Sequence, residues 1–215
     1  MTDQTLPRYD LQELTDSMMA FADGSADQIL HIWSVVKLLS QGHPLSPERI
    51  ATELQLAQDE VAALLRMGEL DQDGKLVGLG LSLVPTPHAY AINGRPLYAW
   101  CAGDAIMFSI FLKADAAIES PDPISGDRIR LIATPEGVRE LEPSSAVVSH
   151  PSAGVDIETV RTQFCNVTHF FTSIETAAQY VAQRPGLVIV PVDEVFRLWH
   201  RVWDREPYRS LIADM

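Results

Sequence analysis

The stretch LYAWCAGDAIMFSIFLK (97–113) carries one charged side chain, Asp104, before it reaches Lys113, and a helix of that composition is apolar on nearly every face. Such a helix has to be surrounded by the rest of the chain, so the expected fold is one built around it. A length of 215 residues with 47% hydrophobic content suffices for that core and leaves room for at most two small domains. No stretch approaches the roughly 18 uninterrupted apolar residues of a membrane span.

The first part of the chain reads as helical. Leu11, Leu14, Met18 and Phe21 recur at helical spacing before a break at Asp23-Gly24, and Ile29, Leu30, Ile32, Trp33, Val36 and Leu39 suit a packed helix that stops at Gly42-His43-Pro44. Ser46-Pro47-Glu48 opens another helix with an N-cap serine and a proline in the first turn, and a further helix runs from Gln58 to Met67. An Asp73-Gly74 turn and a strand over 76–81 follow, so residues 1–84 read as a helical, winged-helix-like region.

Residues 85–215 read as an α+β core with antiparallel strands that carries both cysteines. The expected elements are a strand HAYAI, a turn at Asn93-Gly94-Arg95-Pro96, the apolar helix over 97–113 and strands at 128–134 and 145–150. A short helix from Asp156 into Gln163, a helix over 174–182, a strand over 187–190 and a last helix through Phe196, Leu198, Trp199 and Val202 complete it. The Pro/Ser-rich stretches 119–125 and 143–154 read as surface loops.

Sixteen Lys and Arg against 29 Asp and Glu leave a net charge of -13, a field that opposes phosphate backbones and anionic lipid surfaces, and no basic patch offsets it. The winged-helix pattern raises DNA binding, but its candidate recognition helix, QDEVAALLRM, offers one arginine against two acids. Packing is the preferred role for it, and neither nucleic acid nor membrane is an expected partner. The N-terminus is acidic and polar where a signal peptide would be basic and then apolar, which reads as cytoplasmic. In that compartment Cys101 and Cys165 act as thiols or thiolates, not as a disulfide. With no Gly-rich phosphate loop and no Gly-x-Ser-x-Gly elbow, nucleotide-dependent enzymes and serine hydrolases have no support.

Cys101 and Asp104, three apart on the expected helix, would share one face with Cβ atoms about 5–6 Å apart. Trp100, Ile106, Met107 and Phe108 make the surroundings apolar, and a carboxyl group in such a setting tends to hold a proton near neutrality. That is a general acid beside a soft ligand. Cys165, at the end of TVRTQFC, lies 64 positions downstream and can join them only through tertiary folding. On composition, three accounts of the cysteines stay open: small buried hydrophobes, a paired soft-metal site, or thiol redox chemistry. Asp104 has its own alternative as an ion-paired surface residue, against which its apolar neighbours argue. Zinc is disfavoured, because no histidine lies within four residues of Cys101, and His169, four after Cys165, reads as a hydrogen-bonded core residue.

Two segments at these residues resemble the organomercurial (alkylmercury) lyase family. The run Leu97-Tyr98-Ala99-Trp100-Cys101-Ala102-Gly103-Asp104 resembles its cysteine-plus-aspartate motif, and Phe164-Cys165-Asn166-Val167-Thr168-His169-Phe170-Phe171 resembles the segment with its second essential cysteine. Similarity extends over residues 30 to 192. The resemblance implies a cofactor-free lyase in which a winged-helix-like N-terminal part packs on a catalytic α+β core. It implies that Cys101 and Cys165 take mercury from a thiol adduct of an alkyl- or arylmercury compound, with Asp104 as the third mercury-site residue. Asp104 would accept a thiol proton and deliver one to the departing carbon, while Trp100 and Phe164 accommodate the organic group. It implies external low-molecular-weight thiols for turnover, mercury(II) as the bound product, and a hand-off of that ion to a mercuric reductase.

The chain departs from the family pattern in places. The loop over 119–126 lacks a cysteine that many members carry there, which bears on stability or metal retention more than on catalysis, and Asn166 follows Cys165 where the family often doubles the cysteine. Residues 1–29 and those beyond about 195 match poorly and carry no inference. The alternative reading is a soft-metal or mercury-binding protein for sequestration or sensing, without lyase activity. Asp104 beside Cys101 favours catalysis, and the net charge of -13 counts against a DNA-bound sensor.

Overall fold

The structure is a computed structural model and describes residues 9–214. Its helices begin where local chemistry satisfies their free N–H groups. Helix α1 (Leu11–Gly24) starts at Asp10, whose carboxylate accepts from the Gln12 and Glu13 amides, and it buries Leu14, Met18 and Ala22 on one stripe. The helical lead-in expected over 1–25 is therefore present from Leu11, and its first eight residues lie outside the described ones. Helix α2 (Ala26–Leu39) turns Ile29, Trp33 and Val36 inward. Helix α3 (Pro47–Leu54) is capped by Ser46, which accepts from the Arg49 amide, and α4 (Gln58–Met67) begins with Glu60 accepting from the Ala57 amide.

Strands β1 (Glu69–Leu70) and β2 (Leu76–Leu79) are joined by a turn in which the Asp71 carboxylate accepts from the Asp73 and Lys75 amides. Strand β3 (Leu81–Ser82) follows, then β4 (His88–Ile92) and β5 (Arg95–Ala99), which are joined by Asn93 and Gly94, both at positive φ. Helix α5 (Ala102–Leu112) crosses to β6 (Ala116–Pro121), β7 (Arg128–Thr134) and β8 (Gly137–Glu142). Among the described residues these strands form one eight-stranded antiparallel sheet in the order β1-β2-β3-β5-β4-β6-β7-β8. After it come β9 (Val147–Pro151), the short helix α6 (Val160–Gln163), β10 (Phe170–Phe171), α7 (Ile174–Val181), β11 (Leu187–Pro191), α8 (Val192–Trp203) and α9 (Tyr208–Asp214). Strand β9 is the middle of a second, three-stranded antiparallel sheet, β10-β9-β11, whose small apolar core is closed by Ala177, Tyr180 and Val181 of α7. The fold is the mixed α+β arrangement with antiparallel sheets that the pattern predicts.

Helix α5 is the centre of the main core. Every residue in it except Asp104 and Leu112 is buried. Burial of Ile106, Met107, Phe108, Ile110 and Phe111 contributes roughly 1.5–3 kcal/mol each. Trp33 of α2 stacks on Phe111 at 4.8 Å and meets Trp203 edge-on at 4.5 Å, so the helices near both ends of the described chain close around α5.

Three local expectations change. The apolar helix does not begin at Leu97: residues up to Ala99 form β5, because Leu97 pairs with Tyr90, and Ala99 with both His88 and Leu81, in the middle of the large sheet. The stretch 119–125 is not wholly a loop, since Glu119, Ser120 and Pro121 end β6, and the loop reading of 143–154 gives way to the strand expected at 145–150, which forms as β9 and is buried along its length. The turn after β6 is tied by Asp122. Its carboxylate accepts from the Ile124 and Ser125 amides at 2.8 and 3.2 Å and from the amide and hydroxyl of Thr172, both at 2.9 Å.

Candidate active site

Cys101 sits at the junction of β5 and α5, in extended conformation, as the N-cap of the helix and not as a residue within it. Its Sγ accepts from the Asp104 amide at 3.3 Å, the bond that a serine or threonine cap ordinarily makes. The thiol and the carboxyl group are thus brought together by a helix start, where the positive end of the helix dipole favours a thiolate.

Cys165 opens a single 3-10 turn, Cys165–Val167, directly after α6. The backbone joins the two cysteine segments: the Ala102 amide, next to Cys101, donates to the Thr168 carbonyl at 3.0 Å. The Cys165 thiol then donates to Asp104 Oδ2 at 3.6 Å. One ligand atom each from Cys101, Asp104 and Cys165 lie within 4.8 Å of one another, the single cluster among the described residues whose geometry could hold a metal ion. His169 stays out of this cluster, its Nε2 paired with the Asn166 carbonyl at 3.1 Å and its ring stacked on His88.

The environment raises all three groups above their ordinary values. Burial raises the Asp104 carboxyl group from 3.8 to about 6, with hydrogen bonds from both thiols and the nearby Arg161 charge offsetting part of the effect. Burial also pushes the Cys101 thiol well above its usual value, and the neighbouring Cys165 and Asp104 add to the shift. For Cys165, the hydrogen bond with Cys101 is the largest influence and acts downward, but burial and Asp104 together outweigh it and the net shift is upward. A compact group of two thiols and one carboxyl group sharing protons can bind a soft metal ion through sulfur and release protons as it does so.

A cavity of about 320 Å³ opens onto the cluster and is lined by Cys165 and Asp104. Trp100 and Phe164, expected from the sequence to face an organic group, both line it. Phe164 packs where Gly103 leaves room: a Cβ on Gly103 would come within 2.9 Å of its ring. Beyond Phe164 the wall continues through Trp199, Trp203 and Trp33, neighbouring rings 5.9, 5.5 and 4.5 Å apart. Met18 and Phe21 of α1 and Ile32 of α2 also line it. These wall residues were not singled out from the sequence, because aromatic and apolar residues at helical spacing read as core.

Arg161 and Glu69 were missed as well. The Arg161 guanidinium lies over the Trp100 ring at 3.8 Å and pairs with Glu69 Oε1 at 2.5 Å, while the Trp100 indole N–H donates to Glu69 Oε2 at 3.3 Å. The available signal for Arg161 was its position one helical turn before Cys165.

The alkylmercury lyase (MerB) family profile matches residues 81–204. The alkylmercury lyase of Staphylococcus epidermidis is 40% identical over 76% of this chain and 77% of its own length, and that of Pseudomonas putida is 36% identical over 79% and 81%. In fold, the chain resembles a crystal structure of the mercury-bound form of MerB2, with a TM-score of 0.75 and 22% identity over 93% of this chain and 99% of that one. With a relative of 40% identity covering three quarters of both chains and a family profile spanning both cysteines and Asp104, this chain belongs to the alkylmercury lyases, enzymes that cleave carbon–mercury bonds.

Proposed function

We propose that Cys101, Cys165 and Asp104 carry out protonolysis of an alkyl- or arylmercury thiol adduct. The observation that carries the proposal is the closeness of two thiol sulfurs and one carboxylate oxygen, within 4.8 Å of one another, at the edge of an aromatic-walled cavity. Mercury(II) prefers thiolates, so each cysteine sulfur forms a bond to mercury as it loses its proton. One of the two thiol protons leaves with the displaced small thiol. The other is taken up by Asp104 and delivered to carbon as the carbon–mercury bond breaks. The products are the hydrocarbon, the free small thiol and mercury(II) held by two sulfurs. A carboxyl group held at about 6 is suited to accept and return a proton near neutral pH.

Trp100 and Phe164 border the organic group in this scheme. No resident cofactor takes part, external thiols displace mercury(II) for the next turnover, and the ion passes on to other thiols, including those of a mercuric reductase. The order of α3, α4, β1 and β2 supports a winged-helix-like description of residues 1–84, with packing and cavity-wall roles, against a catalytic core over 85–215. A reducing cytoplasm, which keeps both thiols free, is the compartment this chemistry needs. Among the described residues no helix is long and apolar enough to cross a membrane.

The test is benzene release from phenylmercury in excess thiol, comparing native protein with Cys101→Ser, Cys165→Ser and Asp104→Ala. Multiple turnovers by the native protein, lost in all three variants, are expected. Mercury(II) binding without benzene from native protein would leave sequestration as the function.

A further inference from the structure

Taking Cys101, Cys165 and Asp104 as the reacting set, as proposed above, we infer that Arg161, stacked on Trp100 and paired with Glu69, is a positioning residue that holds the Cys165 segment in register with Cys101.

Cys165 lies on a segment with little stability of its own. Helix α6 has four residues and no side-chain cap, and the 3-10 turn after it has three, lengths at which helical structure does not sustain itself in water. Its position therefore depends on contacts with the rest of the molecule. Two such contacts flank Cys165, and both reach the immediate neighbours of Cys101. After Cys165, the Thr168 carbonyl accepts from the Ala102 amide at 3.0 Å. Before it, the Arg161 guanidinium lies over the Trp100 ring at 3.8 Å. The residues on either side of one cysteine thus grip the residues around the other.

The side-chain half of this grip is itself braced. Glu69 of β1 receives Arg161 on Oε1 at 2.5 Å, and on Oε2 it receives the Trp100 indole at 3.3 Å and the Ser82 hydroxyl at 3.1 Å. Arg161, Trp100 and Glu69 form a closed triangle, with the strand end that carries Glu69 as its third corner. Arginine suits this place because a planar guanidinium can stack on an indole and donate from its edge to a carboxylate oxygen at once, which a lysine ammonium cannot do. Arg161 also lines the cavity, so direct contact with substrate is the competing role.

Steady-state kinetics on phenylmercury in excess thiol separates the two roles, using Arg161→Gln, Arg161→Lys, Glu69→Gln and the Arg161→Gln/Glu69→Gln double variant, with Cys165→Ser as reference. A positioning role predicts that Arg161→Gln lowers kcat by about ten- to a hundredfold with KM within about twofold, since a displacement of the order of 1 Å at a reacting group costs that much. Arg161→Lys should restore little of it, Glu69→Gln should act in the same direction, and the double variant should be no slower than Arg161→Gln alone, because both break one unit. Retention of mercury(II) against excess thiol should weaken in the same variants. Native kcat in Arg161→Gln while Cys165→Ser is inactive would overturn the inference and leave the lyase site intact. A rise confined to KM would assign Arg161 to substrate contact instead. Full activity in Cys165→Ser would refute the reacting set on which the inference rests.

Discussion

Asp104→Asn removes a buried charge while keeping the shape of the side chain, and its effect on stability follows from the position of that charge. Burial holds the Asp104 carboxyl group at about 6 in place of 3.8. At 1.36 kcal/mol per pH unit, the difference amounts to about 3 kcal/mol. Between those two values the folded state binds the proton more tightly than the unfolded chain does. Native stability therefore falls as pH rises through that window and stays lower above it. Asparagine has no proton to lose, so the variant should equal the native protein or fall slightly below it near pH 4 and exceed it near pH 7.5. Asp104 keeps some exposure toward the cavity, so the gain is expected in the range of about 1–3 kcal/mol, or roughly 2–12 °C in Tm for a chain of this size. The same substitution should slow benzene release by about 100-fold or more, because it removes the proton carrier. The assay is a series of thermal melts of both proteins at several pH values, with benzene release measured alongside. A difference in Tm that stays flat from acid to neutral pH would refute the account of the buried carboxyl group, and an unchanged rate would remove Asp104 from proton transfer.

Other consequences can be tested on the same protein. Asp122→Ala leaves the Thr172 amide and hydroxyl and the Ile124 and Ser125 amides without their acceptor, and urea unfolding at pH 7 should show a loss of about 2–4 kcal/mol. Burial alone would raise the Asp122 carboxyl group, but the hydrogen bonds hold it below its ordinary value. Its contribution is thus present at neutral pH and lost as pH falls through the folded value, and the gap between native and variant should close in acid. Ile32→Phe narrows a cavity that, at about 320 Å³, exceeds the roughly 150 Å³ that accommodates benzene in an engineered apolar cavity. It should lower kcat/KM for naphthylmercury by about tenfold and leave methylmercury within about twofold; parallel losses would place the organic group elsewhere. Gly80→Ala forces a side chain onto a backbone at φ +72 and against the Phe108 ring at 2.8 Å, and its urea midpoint should fall by the equivalent of about 1–3 kcal/mol.

The helix starts were legible because they are written in local chemistry. Ser46-Pro47 and the 58–67 helix appear where capping and apolar spacing place them, and β7 spans the residues its alternation marks out. Strands β6 and β8 were not anticipated, because they carry weak strand signals: β6 presents Ala116, Ile118 and Ser120 inward, and β8 has no fully buried residue and three charges in six positions. They are strands because β7 pairs with β6 along its length, β4 pairs with it over residues 116–119, and β7 offers β8 a free edge. The start of α5 was misplaced for a similar reason. Residues 97–99 are apolar enough for a helix, and pairing with β3 and β4 is what extends them and leaves Cys101 as the cap.

Local sequence, then, determined the elements with strong capping and spacing, the buried character of α5, the overall charge, and the three residues whose chemistry stands out: Cys101, Asp104 and Cys165. Proximity between Cys101 and Asp104 was already implied by a spacing of three. Only the tertiary structure decided that Cys165, 64 positions away, brings its sulfur to the same carboxylate, since that depends on the Ala102–Thr168 hydrogen bond and on packing between segments that carry no mark of each other. The same holds for the Arg161, Trp100 and Glu69 triangle and for the aromatic wall. Residues far apart in the chain acquire a shared role only when burial of α5 forces their elements together.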